Sequence, residues 1–126
     1  GPGVGDRRAA RFHAALAREI LADPSSGELV EQEICGESGL RPDFYFPDAG
    51  VIVEVALGLR NPNSEFERDV LKAVLAKRNH PVERLVFITR PGGEQRCKQP
   101  AREEIRRWAL EEYGISIEVH DLVPPV

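Results

Sequence analysis

Residues 41–58, RPDFYFPDAGVIVEVALG, determine how the rest of the chain is interpreted. They predict two short strands joined by a Pro-Asp-Ala-Gly turn at residues 47–50. Because side chains on a strand alternate between its two faces, Glu54 and Ala56 share one face of the second strand. Antiparallel pairing of the two strands would bring Asp43 to Glu54 on that face.

The paired carboxylates of Asp43 and Glu54 are the main chemical signal in the sequence. Two carboxylates held close together repel each other and bind protons more tightly unless a cation lies between them. Magnesium suits such a pair, because it typically takes one or two protein carboxylates and completes its shell with water and phosphate oxygens. The sequence therefore predicts a divalent metal site on this hairpin.

The order Pro42-Asp43 followed by Glu54-Val55-Ala56 resembles the signature of the PD-(D/E)xK nucleases. The resemblance implies an α/β protein with a restriction-endonuclease-like core, α-β-β-β-α-β-α-β, in which helices flank a mixed central sheet. It also implies an Mg²⁺- or Mn²⁺-dependent endonuclease that hydrolyses phosphodiesters, with DNA as the expected partner. Asp43, Glu54 and the backbone carbonyl of Val55 would bind the metal. The family's catalytic lysine would stand at Ala56.

Ala56 departs from the family pattern, and three interpretations follow. The first is that alanine replaces a natural lysine to give an inactive protein, so that changing Ala56 to lysine would restore cleavage. In the second, the domain is naturally non-catalytic and binds nucleic acid or a protein partner. In the third, Asp43 and Glu54 belong to an unrelated α/β domain. A methyl group at position 56 cannot position or deprotonate an attacking water.

Other site candidates come from neighbouring elements. The resemblance allows Glu19, at the margin of the first helix's apolar stripe, to approach the metal; a solvated helix charge is the simpler interpretation. Arg41 and Arg60 flank the motif and are candidate phosphate contacts, or solvated charges. Some members of the family recruit a basic group from a neighbouring element in place of the motif lysine. Lys72 lies almost opposite the apolar arc of its helix, which disfavours that role and predicts that it faces water and pairs with Asp69.

The rest of the chain predicts an alternation of helices and strands. A helix at about residues 6–21 precedes a strand at residues 28–35. A second helix follows the hairpin and begins with a capping box at Ser64 and Glu67. Its apolar arc consists of Phe66, Val70, Ala73 and Val74, widened by Leu71 and Leu75. A buried strand at residues 84–89, a helix from Pro100 to Gly114 with Ile105, Trp108, Ala109 and Tyr113 inward, and a strand at residues 115–122 complete the order.

Composition limits the class of protein. Residues 1–3 resemble the remnant of a cleaved affinity tag, and residues 4–126 are expected to form one domain, because 126 residues support a modest core. No apolar run has membrane-spanning length, and Cys35 and Cys97 are expected to be reduced thiols in a cytoplasmic protein. The net charge of −4 does not itself indicate nucleic-acid binding. Little remains for a separate sequence-reading domain, so specificity is expected to come from dimerisation, from selectivity for the structure of the nucleic acid, or from a larger protein of which this is a domain.

Overall fold

The computed structural model describes residues 15–19, 21, 27, 29–56 and 65–122. Its strands are β1 (Leu29–Val30), β2 (Phe44–Phe46), β3 (Val51–Val55), β4 (Arg84–Thr89) and β5 (Ser116–Asp121). Its helices are α1 (residues 15–19), α2 (Glu65–Lys77), α3 (Gly93–Arg96) and α4 (Pro100–Tyr113), with a 3₁₀ turn at Gly36–Ser38.

The strands form one mixed five-stranded sheet in the order β1-β2-β3-β4-β5. The pairs β1–β2 and β2–β3 are antiparallel, whereas β3–β4 and β4–β5 are parallel. Parallel neighbours need crossover connections, and here α2 joins β3 to β4 while α3 and α4 join β4 to β5. The expectation of an α/β protein with a mixed central sheet flanked by helices is confirmed.

Hydrophobic clusters cover both faces of the sheet. On one face, Tyr45, Ile52 and Ala56 pack with Phe66 and Ala73 of α2 and with further apolar side chains of α4. On the other face, the alternate residues of β2, β3 and β4 pack with Ala17 of α1. The alternation expected from the hairpin sequence is confirmed, and it places Glu54 on the α2 side.

Two sequence expectations for local structure are wrong. The strand expected at residues 28–35 is reduced to Leu29–Val30, because Glu31 has a positive φ of 48° and turns the chain out of the sheet. Trp108 and Tyr113 do not lie in the core; they are 42% and 38% exposed and pack edge to face against each other. The capping box at Ser64 falls outside the described residues.

The predicted start and end of α4 are confirmed. Pro100 occupies its first turn, where its missing N–H costs no hydrogen bond, and Gly114 closes the helix at a φ of 64°.

Cys35 and Cys97 are both buried free thiols. Within the part of the chain that the structure describes, no helix has the length and apolar character needed to cross a membrane.

Candidate functional site

The antiparallel register of β2 and β3 brings Asp43 and Glu54 together. Phe44 pairs with Val53, and continuing that register by one residue places Asp43 opposite Glu54. The Asp43 N–H donates to Glu54 Oε1 at 3.2 Å, and the Val55 N–H donates to Asp43 Oδ2 at 2.8 Å. Asp43 is 3% exposed and Glu54 is fully buried, so both carboxyl groups are removed from bulk water.

Lys72 of α2 is the cation that contacts the Glu54 carboxylate. Its Nζ lies 3.3 Å from Glu54 Oε2 and 3.4 Å from Glu54 Oε1. The same ammonium lies 3.1 Å from Asp69 Oδ1, one turn earlier on the helix. Lys72 and Asp69 are both buried. The site is therefore a buried cluster of three carboxyl groups, in which Glu54 and Asp69 contact the ammonium and the Asp43 N–H contacts Glu54.

The pKa values of the cluster follow from burial and charge. Burial raises the pKa of Glu54 well above its ordinary value, and repulsion from Asp69 and Asp43 raises it further against the opposing attraction of Lys72. Burial also raises the pKa of Asp43, although the Val55 N–H favours the ionised form. Burial alone would lower the pKa of Lys72, but attraction to Glu54 and Asp69 outweighs it and the pKa is raised. Lys72 therefore stays protonated at neutral pH.

The sequence expectation that Lys72 faces water is wrong. The buried side of α2 consists of Phe66, Asp69, Val70, Lys72, Ala73 and Ala76, whereas Leu71 is 49% exposed. The helix is thus rotated toward its polar pair relative to the arc that apolar residues alone predict. The rotation is possible because Asp69, Lys72 and Glu54 satisfy one another inside the protein, which an apolar count along the helix does not register. The predicted Asp69–Lys72 pair does form.

A hydrogen bond also ties the Lys72 backbone to the loop between β1 and β2. The Cys35 thiol donates to the Lys72 carbonyl at 3.4 Å. Burial raises the pKa of Cys35 to about 11, so this thiol is a structural contact rather than a nucleophile. A signal that could have identified Lys72 was present: Ala73 and Ala76 extend the apolar arc on the side where Asp69 and Lys72 lie.

Ala56 lies at the position expected for the family's lysine. It follows Glu54 on the same face of β3, is fully buried, and belongs to the same hydrophobic cluster as Phe66 and Ala73. Its N–H donates to the Ile88 carbonyl at 2.9 Å, which continues the ladder with β4. Ala56 offers only a methyl group on this face, and the ammonium that contacts Glu54 comes from Lys72.

The remaining candidates lie at different distances from this centre. Glu19 is exposed on α1, whose Ala17 packs on the opposite face of the sheet. Arg41 is exposed next to the site and forms an ion pair with Glu33. Arg60 falls outside the described residues. Only Asp43, Glu54 and Val55 of the predicted residues are therefore seen in mutual contact.

Two carboxylates and a backbone carbonyl are types of ligand that a hard divalent cation such as Mg²⁺ takes. The N–H and C=O of one residue in an extended strand point to the same edge, so the Val55 carbonyl faces the edge on which Asp43 accepts its N–H. Repulsion from Asp69 and Asp43 helps to raise the pKa of Glu54, so a cation bound between the carboxyl groups would relieve that repulsion. Among the described residues, no group of three or more His, Cys, Asp or Glu side chains is arranged as a metal site.

Comparison with known proteins supplies no relative. No family model, no curated protein and no solved structure matches this chain. The case for function is therefore made from the sequence and the geometry.

Proposed function

We propose that this protein is a metal-dependent nuclease with a restriction-endonuclease-like core, in which Lys72 takes the part of the lysine that Ala56 replaces. The observation that carries the proposal is the contact of the buried Lys72 ammonium with both carboxylate oxygens of Glu54, at 3.3 and 3.4 Å. A helix thus provides the charge that the strand lacks. On this proposal Ala56 is compatible with activity, and no engineered inactivation is needed to explain it.

The order of elements supports the proposal. A helix, three antiparallel strands, a crossover helix and two further strands parallel to β3 are consistent with the element order that the resemblance implies. The carboxylates come from the central hairpin, and the helix that follows it carries Lys72. Fold alone does not establish activity, because one fold hosts many functions. The proposal therefore depends on the cluster of charges.

Asp43, Glu54 and the Val55 carbonyl would hold Mg²⁺ or Mn²⁺. When bound there, such a metal supplies a Lewis acid that polarises the scissile phosphate and lowers the pKa of a coordinated water. Mg²⁺ is consistent with a site that offers two carboxylates and leaves other positions to water and phosphate oxygens. The mutual repulsion of the buried carboxyl groups, which helps to raise the pKa of Glu54, is the feature of this chain that favours binding of such a cation.

Lys72 would act as a fixed positive charge and hydrogen-bond donor. Its raised pKa keeps the proton on Nζ at neutral pH, which makes it a poor general base. It is suited to orient the attacking water and to stabilise the negative charge that develops on the phosphoryl oxygens. Asp69 holds the ammonium from the opposite side at 3.1 Å and so keeps it in place.

The test is cleavage of supercoiled DNA, linear duplex, single-stranded DNA and RNA in Mg²⁺ or Mn²⁺, with a metal chelator as the blank. We expect the unaltered protein to cut at least one of these substrates. Lys72→Ala should reduce the rate by a factor of about 10²–10³, the usual cost of losing one charge-stabilising donor. Lys77→Ala is the matched control, because this lysine of the same helix donates instead to the Val82 carbonyl at 2.9 Å.

A second variant separates catalysis from folding. Lys72→Ala leaves buried carboxylates without their cation and should cost about 3–5 kcal/mol of stability. Adding Ala56→Lys to Lys72→Ala returns an ammonium to the same strand face as Glu54 and should recover part of the rate. Folded protein that cuts none of the four substrates, or a folded Lys72→Ala variant as active as the unaltered protein, would refute the proposal.

A further inference from the structure

Residues 90–99, here called the basic turn, follow β4 at the same end of the sheet as the carboxylate cluster. Ile88 pairs with Val55 in the parallel ladder, so Thr89 is level with Ala56 and Arg90 begins where β3 also ends. Because β2 is antiparallel to β3, Arg41 and Asp43, which precede β2, lie at this end of the sheet as well. The basic turn and Arg41 therefore lie on either side of the cluster.

The basic turn concentrates positive charge in an acidic protein. It carries Arg90, Arg96 and Lys98 against the single carboxylate Glu94, whereas the whole chain has a net charge of −4. All three cations are exposed, and they alternate with Gly93 and Cys97, which are buried and anchor the turn. The anchoring directs these side chains outward at the edge where a substrate of the proposed nuclease would lie.

A second set of contacts makes the basic turn rigid. Asp121, at the end of β5, accepts hydrogen bonds from the Thr89 hydroxyl at 2.8 Å, the Gly92 N–H at 3.0 Å and the Glu94 N–H at 2.9 Å. Partial burial would raise the pKa of Asp121, but these donors outweigh it and the pKa is lowered. Gly93 packs so closely on Thr89 that an added Cβ would lie 2.2 Å from its hydroxyl oxygen.

The same contacts decide which groups of the turn can meet a ligand. Asp121 already takes the Gly92 and Glu94 amides, so these backbone groups are not available to bind an anion. The side chains of Arg90 and Lys98 reach outward from a turn that is held in one shape. Ordering costs on binding are smaller for a turn that is already fixed.

We infer that the basic turn binds the phosphate backbone of the nucleic acid that the carboxylate cluster cleaves, an inference that rests on the proposed nuclease function. Neighbouring strands lie about 4.8 Å apart, so the ends of β2 and β4 are separated by about 10 Å, or about three nucleotide steps of 3.4 Å. One strand of nucleic acid that runs across this end of the sheet would pass Arg41, the cluster and Arg90 in turn. Contacts to phosphate position the substrate without reading its sequence.

The experiment measures binding of a fluorescent DNA duplex by anisotropy in a metal chelator, at several salt concentrations from about 50 to 200 mM. The test variant is the double substitution Arg90→Gln/Lys98→Gln. The matched control, Arg78→Gln/Arg107→Gln, removes the same charge from two other exposed positions, one following the far end of α2 and one midway along α4. The same preparations are assayed for cleavage in Mn²⁺.

Each lost phosphate contact reduces the slope of log K against log salt by about 0.9. We expect the test variant to bind more weakly, with a slope shallower by about 1.8, and the control to match the unaltered protein. If the unaltered protein binds and cuts but the test variant keeps its slope, the inference fails and the proposed nuclease stands. A reduced slope without cleavage by any variant supports the binding surface and refutes the nuclease. Neither binding nor cleavage refutes both.

Discussion

At the scale of single residues, the buried carboxyl group of Glu54 is held by several contacts. Its carboxyl group is fully buried, contacts Lys72 and the Asp43 N–H, and is repelled by Asp69 and Asp43. The strand alternation of residues 51–56 predicts that it meets Asp43. The contact with Lys72 could not be predicted in the same way, because it depends on how α2 is rotated about its own axis above the sheet.

The raised pKa values of Glu54, Asp43 and Glu65 predict how stability depends on pH. Burial is the largest cause for each, so the folded protein binds protons more tightly than the unfolded chain. Above the ordinary pKa of Glu54, 4.5, the unfolded chain has lost this proton while the folded protein retains it. Stability must therefore fall as pH rises from that value through the folded pKa. The cluster contributes most stability in mild acid.

We expect the free energy of unfolding, measured by urea titration in a metal chelator, to be larger at about pH 5 than at about pH 7.5. Glu54→Gln should reduce that difference, since it removes the group with the most strongly raised pKa. Asp121 and Glu118 have lowered pKa values and act in the opposite sense, so stability should fall again below about pH 4.5 as they bind protons. Stability that rises or stays level from mild acid to neutral pH would contradict the assignment.

At the scale of elements, the sequence succeeds where one signal decides and fails where two compete. The hairpin follows from strict alternation, and α4 follows from Pro100 and Gly114. The predicted orientation of α2 is wrong because its apolar arc and its buried ion pair lie on sides of the helix that differ by a fraction of a turn. Trp108 fails for a related reason: helical spacing places it near the margin of the arc, and the structure leaves it partly exposed.

The tight packing of Gly93 on Thr89 gives a prediction for the basic turn. In Gly93→Ala the new methyl carbon would lie 2.2 Å from Thr89 Oγ1 and 2.4 Å from Thr89 Cβ. Thr89 is fully buried and bonded to Asp121, so it cannot move aside easily. We expect a loss of about 1–3 kcal/mol in the free energy of unfolding. Gln95→Ala, at an exposed position of α3, should change it by less than about 0.5 kcal/mol. Equal stability of the two variants would show that the turn is looser than described.

At the scale of the whole molecule, the two kinds of charge occupy different positions at the same end of the sheet. The carboxyl groups of the cluster are buried on the α2 side of β3, while the cations of the basic turn are exposed where β4 ends. The net charge of −4 is a sum over the whole chain, so it does not describe the charge of either region. Local potential, rather than the total, steers a charged ligand to a cleft.

The repulsion that helps to raise the pKa of Glu54 predicts that a divalent cation bound among these carboxyl groups stabilises the whole fold. A ligand that binds only the folded state adds RT ln(1 + [L]/Kd), or about 2.7 kcal/mol at one hundred times Kd. We expect Mn²⁺ or Mg²⁺ to raise the melting temperature at neutral pH by several degrees. The shift should shrink at about pH 5, where protons compete with the metal for Asp43 and Glu54.

The control for this prediction is the isosteric double variant Asp43→Asn/Glu54→Gln, measured by the same thermal melts and by calorimetric titration with Mn²⁺. It retains the shape of the site but lacks the charge that would attract the cation, so both the melting shift and the heat of binding should disappear. An equal shift in the variant would place the metal elsewhere on the surface. If metal does not change the melting temperature of the unaltered protein at neutral pH, the cluster needs no cation. Lys72 would then be a structural counter-ion rather than part of a catalytic centre.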